Sequence, residues 1–291
     1  MTKTAWVFPG QGSQVVGMGT DLQDIAAAQV KFEIAEKILG WSVLDICKGD
    51  EATLSRTLYT QPCLYVVESI LADLLKEKTG LPNFVAGHSL GEYVALYTAG
   101  VFDFESGLSL VKKRAELMNN AAGGKMAALM KFDRSQLEQA IADNPDVVLA
   151  NDNSDAQVVI SGTPEAVQKI LSVVKAKRAV ELNVSGAFHS PLMQAASTQF
   201  ESVLNAVTFK DALIPVLSNV SPTPATTSSE LKQRLVAQMT SSVRWREIML
   251  QLSQEEITHA VEIGPGKVLT GLIKRTCRGI ELNNLETIEQ I

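Results

Sequence analysis

The feature that most constrains the fold is a serine on a short turn between a buried strand and an apolar helix. Phe84-Val85-Ala86 runs directly into Gly87-His88-Ser89-Leu90-Gly91, and residues 90–99 are almost wholly apolar. Such an apolar stretch predicts a central helix. A Gly-x-Ser-x-Gly motif between a strand and a helix predicts a nucleophile elbow, which presents the serine hydroxyl at the carboxyl end of a sheet. Outside that context the same five residues would indicate only a turn.

A serine nucleophile needs N–H donors for the oxyanion that forms during acyl transfer. The N-terminus of the helix after the elbow offers the backbone N–H of Leu90. A second donor is predicted at Gln11, in the loop Gly10-Gln11-Gly12 that follows the predicted strand Thr4–Phe8. These glycines do not predict a nucleotide site, because Val15 stands where Gly-x-Gly-x-x-Gly requires glycine.

The base that activates the serine is expected among three histidines. His88 adjoins Ser89, and the bend of the elbow should point it away, which favours a structural role. His259 precedes a predicted strand and is an ordinary strand-edge residue. His189 lies in a loop of small residues, 185–191, and is therefore the predicted base. Since no acidic residue near His189 stands out, we expect a backbone or amide carbonyl to orient it.

Residues 125–190 are predicted to form a separate unit inserted into a larger α/β domain, which comprises residues 1–124 and 191–291. The order strand-helix-strand-strand-helix-strand is typical of a ferredoxin-like module. Its predicted elements are strands at 126–130, 147–150, 158–160 and 179–182, helices after Asp133 and Thr163, and a turn at 152–155. In the larger domain we predict a helix over 61–78 with Pro62 in its first turn, and a strand at 260–263 that rejoins the main sheet.

Arg114 is the position that bears most directly on the substrate. On a helical wheel of residues 105–118 it falls in the middle of the apolar half. A guanidinium cannot lose its charge, and its burial is costly unless an anion meets it. One interpretation is an internal ion pair with a protein carboxylate. The other is an arginine that binds a substrate carboxylate through two parallel hydrogen bonds, which next to a serine nucleophile predicts an acyl group with a free carboxylate.

Charge and cysteine content exclude several classes of function. The formal charge of −6 argues against a nucleic-acid or anionic-membrane binder. No apolar run approaches the roughly 20 residues of a membrane helix. Pro9-Gly10 comes too early for a secretory apolar region, so we expect no secretory segment. Cys47, Cys63 and Cys277 show no Cys-x-x-Cys spacing, which predicts reduced thiols in the cytoplasm and no metal site.

Five stretches of the chain, in order and nearly end to end to about residue 277, resemble the malonyl-CoA:acyl carrier protein transacylases of type II fatty acid synthesis. These stretches are 8–14 (FPGQGSQ), 60–62 (TQP), 87–93 (GHSLGEY), 186–191 (GAFHSP) and 262–269 (EIGPGKVL). The resemblance implies an α/β-hydrolase-like domain carrying the ferredoxin-like insert. It also implies that Ser89 takes the malonyl group, with His189 as base, Gln11 and Leu90 as oxyanion donors, and Arg114 on the malonyl carboxylate.

Four further roles are implied by the same resemblance. Gln61 corresponds to a pocket glutamine near the arginine, and the backbone carbonyl of Gln238 is expected to orient the histidine. Asn151 and Asn153 are expected to line the pantetheine side of the cleft. Ser242 departs from the family pattern, in which proline is frequent, so a local loop change is expected near Gln238.

The implied partners are malonyl-CoA and an acyl carrier protein, with no metal or redox cofactor, and the protein is expected to act as a monomer. Two interpretations of the basic residues between 264 and 280 stay open: a docking surface for an acidic carrier protein, or a solvated helix face. Three alternative functions also stay open: a free-standing acyltransferase serving a polyketide synthase, a serine thioesterase or hydrolase, and a non-catalytic interaction protein.

Overall fold

The computed structural model describes residues 2–291, and these contain nine β-strands and twelve α-helices. The strands are β1 (Thr4–Phe8), β2 (Phe84–Gly87), β3 (Lys125–Phe132), β4 (Val147–Ser154), β5 (Gln157–Gly162), β6 (Ala176–Glu181), β7 (Val216–Leu217), β8 (His259–Ile263) and β9 (Glu281–Leu285). The helices are α1 (Ala26–Leu39), α2 (Val43–Lys48), α3 (Glu51–Leu54), α4 (Thr57–Thr79), α5 (Gly91–Thr98), α6 (Phe104–Asn119), α7 (Arg134–Ala142), α8 (Pro164–Val173), α9 (Gln194–Ala206), α10 (Ser228–Gln238), α11 (Trp245–Gln254) and α12 (Val268–Thr276).

Five strands form a parallel sheet in the order β7-β2-β1-β8-β9. Both faces of this sheet are covered, as is usual for parallel sheets. Trp6 and Phe8 of β1 pack into the core on one side, whereas Ala5 and Val7 pack into the core on the other, which includes residues of α11 and α12. The carboxyl ends of β1, β2 and β8 meet at one edge, where ligand sites of such sheets occur.

A separate antiparallel sheet has the order β4-β5-β3-β6 and packs against α7 and α8 around its own apolar cluster. Each of these helices begins at the predicted cap: Asp133 accepts from the N–H of Gln136, and Thr163 from the N–H of Ala166. The predicted α/β architecture, a parallel sheet with a second smaller sheet, is confirmed. Within the described residues, no helix is both long and apolar enough to cross a membrane.

Backbone hydrogen bonds and an ion pair join β4 to residues 243–246, at the start of α11. The N–H of Val243 donates to the carbonyl of Ala150 (2.8 Å), and the N–H of Asp152 donates to the carbonyl of Val243 (2.9 Å). The buried Asp152 carboxylate also pairs with Arg134 at 2.8 Å and with Arg246 at 2.9 Å. The bonds to Val243 and the pair with Arg246 hold the end of β4 against the segment that leads into α11, which packs on the larger sheet, whereas Arg134 lies in α7 beside the smaller sheet.

Two local predictions were wrong. The helix predicted from residue 61 begins at Thr57, so Pro62 lies inside α4 and removes one backbone bond from its second turn. The turn predicted at 152–155 is strand as far as Ser154, because two bulges accommodate the polar residues and the Asp152 carboxylate has ionic partners.

Candidate active site

The elbow forms because glycines bracket the serine. Ser89 has φ 51°, in the left-handed region that non-glycine residues seldom occupy. A Cβ on Gly87 would lie 1.9 Å from the carbonyl carbon of Gly91, and one on Gly91 would lie 2.1 Å from the carbonyl oxygen of Phe8. Only glycine at both positions lets α5 pass this close to the strands, which brings Ser89 to the edge of the sheet.

Asn219, in the loop after β7, binds the elbow on both sides of the serine. Its Oδ1 accepts the N–H of Ser89 at 2.7 Å, and its Nδ2 donates to the carbonyl of Gly87 at 2.6 Å. The side chain is fully buried. Asn219 therefore fixes the backbone that carries the nucleophile, a role that the sequence did not predict.

The structure places Ser89 and His189 in direct contact: Ser89 Oγ lies 2.8 Å from His189 Nε2. His189 Nδ1 lies 3.0 Å from the backbone carbonyl oxygen of Gln238. A carbonyl only accepts, so Nδ1 carries the imidazole proton and Nε2 accepts from the serine hydroxyl. This tautomer is the one that general-base catalysis requires.

His189 is neutral in this environment. Burial, together with the positive charge of Arg114, lowers the pKa of His189 from an ordinary 6.5 to about 3. The residue also has φ 56°, so its backbone, like that of Ser89, is held in a sparsely populated conformation by its surroundings.

Arg114 is fully buried on α6, and its guanidinium points at neutral oxygens. It donates to Gln61 Oε1 at 2.7 Å, to Ser89 Oγ at 3.0 Å and to Gln238 Oε1 at 3.2 Å. Its Nε–H has no acceptor among residues 2–291, and the ring of Tyr93 lies 5.3 Å from its central carbon. Burial lowers the pKa of Arg114, but a guanidinium remains charged at neutral pH.

No Asp or Glu oxygen of the described residues lies within 4.0 Å of this guanidinium. The buried Glu92 acts on it from farther away; its Oε2 accepts from Gln238 Nε2 at 2.7 Å and from the N–H of Asn219 at 3.2 Å. Burial raises the pKa of Glu92. Within the described residues Arg114 therefore has no direct ion pair, so the interpretation as an internal ion pair is wrong.

A cavity of about 80 Å³ connects these groups. Its lining residues are Gln11, Gln61, His88, Ser89, Leu90, Arg114, Met118, Met126, Asn151, Leu182, Val184, Phe188 and His189. In the described part of the chain, the backbone N–H groups of Gln11 and Leu90 donate to no protein acceptor, and Asn151 Oδ1 is buried without a donor. The cavity thus offers free donors near the nucleophile and one free acceptor.

Two predicted site residues, Asn153 and Gln238, lie behind this lining. Asn153 is buried, and its Oδ1 lies 2.8 Å from His88 Nε2, whose ring packs against Trp245. Gln238 does not line the cavity, and it acts on the site through its hydrogen bonds with Arg114 and His189. His259 lies away from the cavity and pairs with Glu281 at 2.7 Å.

A sequence model described as acyl transferase domain matches residues 5–289. The chain belongs to the acyl transferase family. It is therefore an acyltransferase, and the match continues past residue 277, where the resemblance was expected to end.

Three proteins similar to this chain are described as malonyl transacylases. Malonyl CoA-acyl carrier protein transacylase of Synechocystis sp. is 60% identical over 289 residues and 99% of each chain, and its crystal structure matches with a TM-score of 0.98. Polyketide biosynthesis malonyl CoA-acyl carrier protein transacylase PksC of Bacillus subtilis is 42% identical, over 95% of this chain and 98% of that protein. A malonyl-transacylase solved in complex with a type II PKS acyl-carrier protein is 34% identical, with a TM-score of 0.93 over 99% of this chain and 97% of that one. The predicted resemblance to malonyl-CoA:acyl carrier protein transacylases is confirmed.

Proposed function

We propose that this acyltransferase moves the malonyl group from malonyl-CoA to the phosphopantetheine thiol of an acyl carrier protein, for fatty acid elongation. The substrate class is inferred from Arg114. Its guanidinium is buried among amide and hydroxyl oxygens, and it lies 3.0 Å from the hydroxyl oxygen of Ser89. A malonyl carboxylate would supply the missing anion through two parallel hydrogen bonds. An acyl group without it would leave the cation unpaired, at a cost of about 2–5 kcal/mol by analogy with truncated buried pairs.

In the first step His189 Nε2 takes the Ser89 proton as Oγ attacks the thioester carbonyl of malonyl-CoA. The N–H groups of Gln11 and Leu90 bind the oxyanion, and Asn151 Oδ1 accepts from an amide of the pantetheine arm. The carbon–sulfur bond then breaks, and the imidazolium returns its proton to the coenzyme A thiolate.

In the second step the carrier-protein thiol gives its proton to His189 and attacks the malonyl-serine ester. The carbon–oxygen bond to Ser89 breaks, and the serine recovers the proton. Every proton moves between sulfur, imidazole and serine oxygen, so these steps require no metal or redox cofactor.

The finer architecture supports the same proposal. The parallel sheet with its elbow is α/β-hydrolase-like, and the strand order β4-β5-β3-β6 is that of a ferredoxin-like sheet. We assign residues 125–190 to this insert and residues 1–124 with 191–291 to the catalytic domain. Asn153 supports the pantetheine side of the cleft through His88. We propose that the protein acts as a cytoplasmic monomer.

The carrier protein is proposed to dock on a basic surface formed by Lys267, Lys274, Arg275 and Arg278. Lys274 and Arg275 are exposed on α12, and neither has an ionic partner in the described residues. The loop before α12 contacts the loop that carries Gln11. A Cβ on Gly266 would lie only 3.4 Å from the carbonyl oxygen of Ser13. The start of α12 is therefore close to the edge at which the nucleophile lies, and Lys274 and Arg275 lie about two helical turns farther along.

The test is to trap the acyl-enzyme with malonyl-CoA and find the modified residue by mass spectrometry. We expect malonyl on Ser89, its transfer to carrier protein, and no free malonate, whereas a thioesterase would release malonate. Comparing carrier proteins of fatty acid and polyketide pathways tests the alternative that the relative PksC suggests. Malonyl-CoA that never acylates Ser89 would refute the proposal.

A further inference from the structure

The arginine that awaits a carboxylate also binds the nucleophile. Arg114 donates to Ser89 Oγ at 3.0 Å, while the Ser89 hydroxyl donates to His189 Nε2 at 2.8 Å. A hydroxyl oxygen has two lone pairs, so one of them is engaged by a cation in the free enzyme. A charge-assisted bond of this kind withdraws electron density from the oxygen that must attack.

The same cation weakens the base. The charge of Arg114 is, after burial, the next largest cause that lowers the pKa of His189. A base whose pKa lies far below the operating pH accepts a proton less readily in the transition state. The positive charge of Arg114 thus makes Ser89 a weaker nucleophile and His189 a weaker base.

A carboxylate would remove both restraints. It is a stronger acceptor for a guanidinium than a hydroxyl or an amide oxygen, and Arg114 still has an unused, buried Nε–H to offer it. Once the carboxylate has taken the guanidinium, the Ser89 lone pair is released and the charge facing His189 is neutralised.

We propose that Arg114 restrains Ser89 in the free enzyme and that the carboxylate of the incoming acyl group releases it. This inference rests on the proposed function and deepens it, because selection of the acyl group would act on the rate of acylation as well as on binding. Arg114 would then both bind the carboxylate of the acyl group and slow the acylation of Ser89 by thioesters that lack a carboxylate.

The test separates the carboxylate from the acyl group. Phenylmethanesulfonyl fluoride, a neutral reagent, sulfonylates an activated serine: the oxygen–sulfur bond forms, fluoride leaves and His189 takes the proton. Its rate of reaction with Ser89 is measured by intact mass across a formate titration, with chloride at matched ionic strength as the control. We expect formate to accelerate labelling about tenfold, as the loss of one charge-assisted hydrogen bond to the nucleophile would produce, and chloride to have no such effect.

A second measurement uses acetyl-CoA with formate, which together reproduce the malonyl group in two pieces. Formate should raise the rate of acetyl-Ser89 formation in the native enzyme and leave it unchanged in Arg114→Ala, whose fold is checked by thermal unfolding. Labelling that is unchanged or slowed across the whole titration overturns the inference. Malonylation of Ser89 by malonyl-CoA, measured in parallel, shows separately whether the proposed function holds.

Discussion

Replacing Asn219 by alanine would test whether the nucleophile depends on its backbone clamp. The side chain is fully buried, and it pairs the N–H of Ser89 (2.7 Å) and the carbonyl of Gly87 (2.6 Å). In Asn219→Ala both backbone groups lose their partner away from water. Each such group costs about 1–3 kcal/mol, so we expect the free energy of unfolding to fall by about 2–6 kcal/mol.

The same change should reduce the rate of acylation. The left-handed conformation of Ser89 costs of order 1–3 kcal/mol, and the two bonds from Asn219 help to maintain it. Once these bonds are lost, Oγ can move away from His189 Nε2, and a displacement of about 1 Å is enough to reduce the rate roughly hundredfold. We expect this loss in kcat, with a smaller change in KM, because Asn219 does not line the cavity.

The assay is rapid-quench formation of malonyl-Ser89, read by intact mass, beside urea unfolding of the same preparation. Asn144→Ala is the matched control, since Asn144 is also buried but lies between α7 and β4, and we expect its rate of acylation to be native. A variant Asn219→Ala that loses stability but acylates at the native rate per folded molecule would refute the clamp.

Three further predictions follow from the charges. The pKa of His189 is lowered to about 3, and only the neutral imidazole accepts a proton. We therefore expect kcat/KM for malonyl-CoA to be constant near neutral pH and to fall only as the pH is lowered toward about 3. A fall in kcat/KM centred near the ordinary pKa of 6.5 would contradict this prediction. Asp152→Asn should lower the free energy of unfolding in urea by about 2 kcal/mol, since two arginines lose their shared carboxylate; no change would show that the pairs contribute nothing. Alanine at Lys274 and Arg275 should raise KM for the carrier protein and leave KM for malonyl-CoA unchanged, and equal effects on both would exclude docking at α12.

Those parts of the site that depend on local sequence could be predicted. The elbow follows from glycine spacing between a strand and an apolar helix, because the close approach of α5 to β1 and β2 permits no Cβ at Gly87 or Gly91. Arg114 was found from helical periodicity alone, since a cation in an apolar stripe must be buried whatever the helix packs against. The cap at Asp133 is local in the same sense.

The parts that were missed depend on contacts between distant segments. Asn219 lies 130 positions from Ser89 in a loop with no motif, and nothing in that loop indicates that it reaches the elbow. The bulged strand β4 depends on partners of Asp152 in α7 and α11, so its polar residues favoured a turn when considered alone. The start of α4 was predicted too late in the chain, because Pro62 was expected in the first turn of the helix. Tertiary packing of α4 outweighs the one backbone hydrogen bond that the proline removes, so the helix begins at Thr57.

The chemistry of the acceptors around Arg114 explains why the site keeps a charge that it does not neutralise. Gln61 and Gln238 are nearly isosteric with glutamate, and a carboxylate at either position would pair with the guanidinium permanently. Such an internal anion would have to be displaced by every substrate, so the affinity of the arginine for an acyl carboxylate would be reduced by the strength of that pair. An amide oxygen satisfies the direction of the hydrogen bond but forms no ion pair with Arg114. The two glutamines therefore hold the guanidinium in place while its attraction for an incoming carboxylate is preserved.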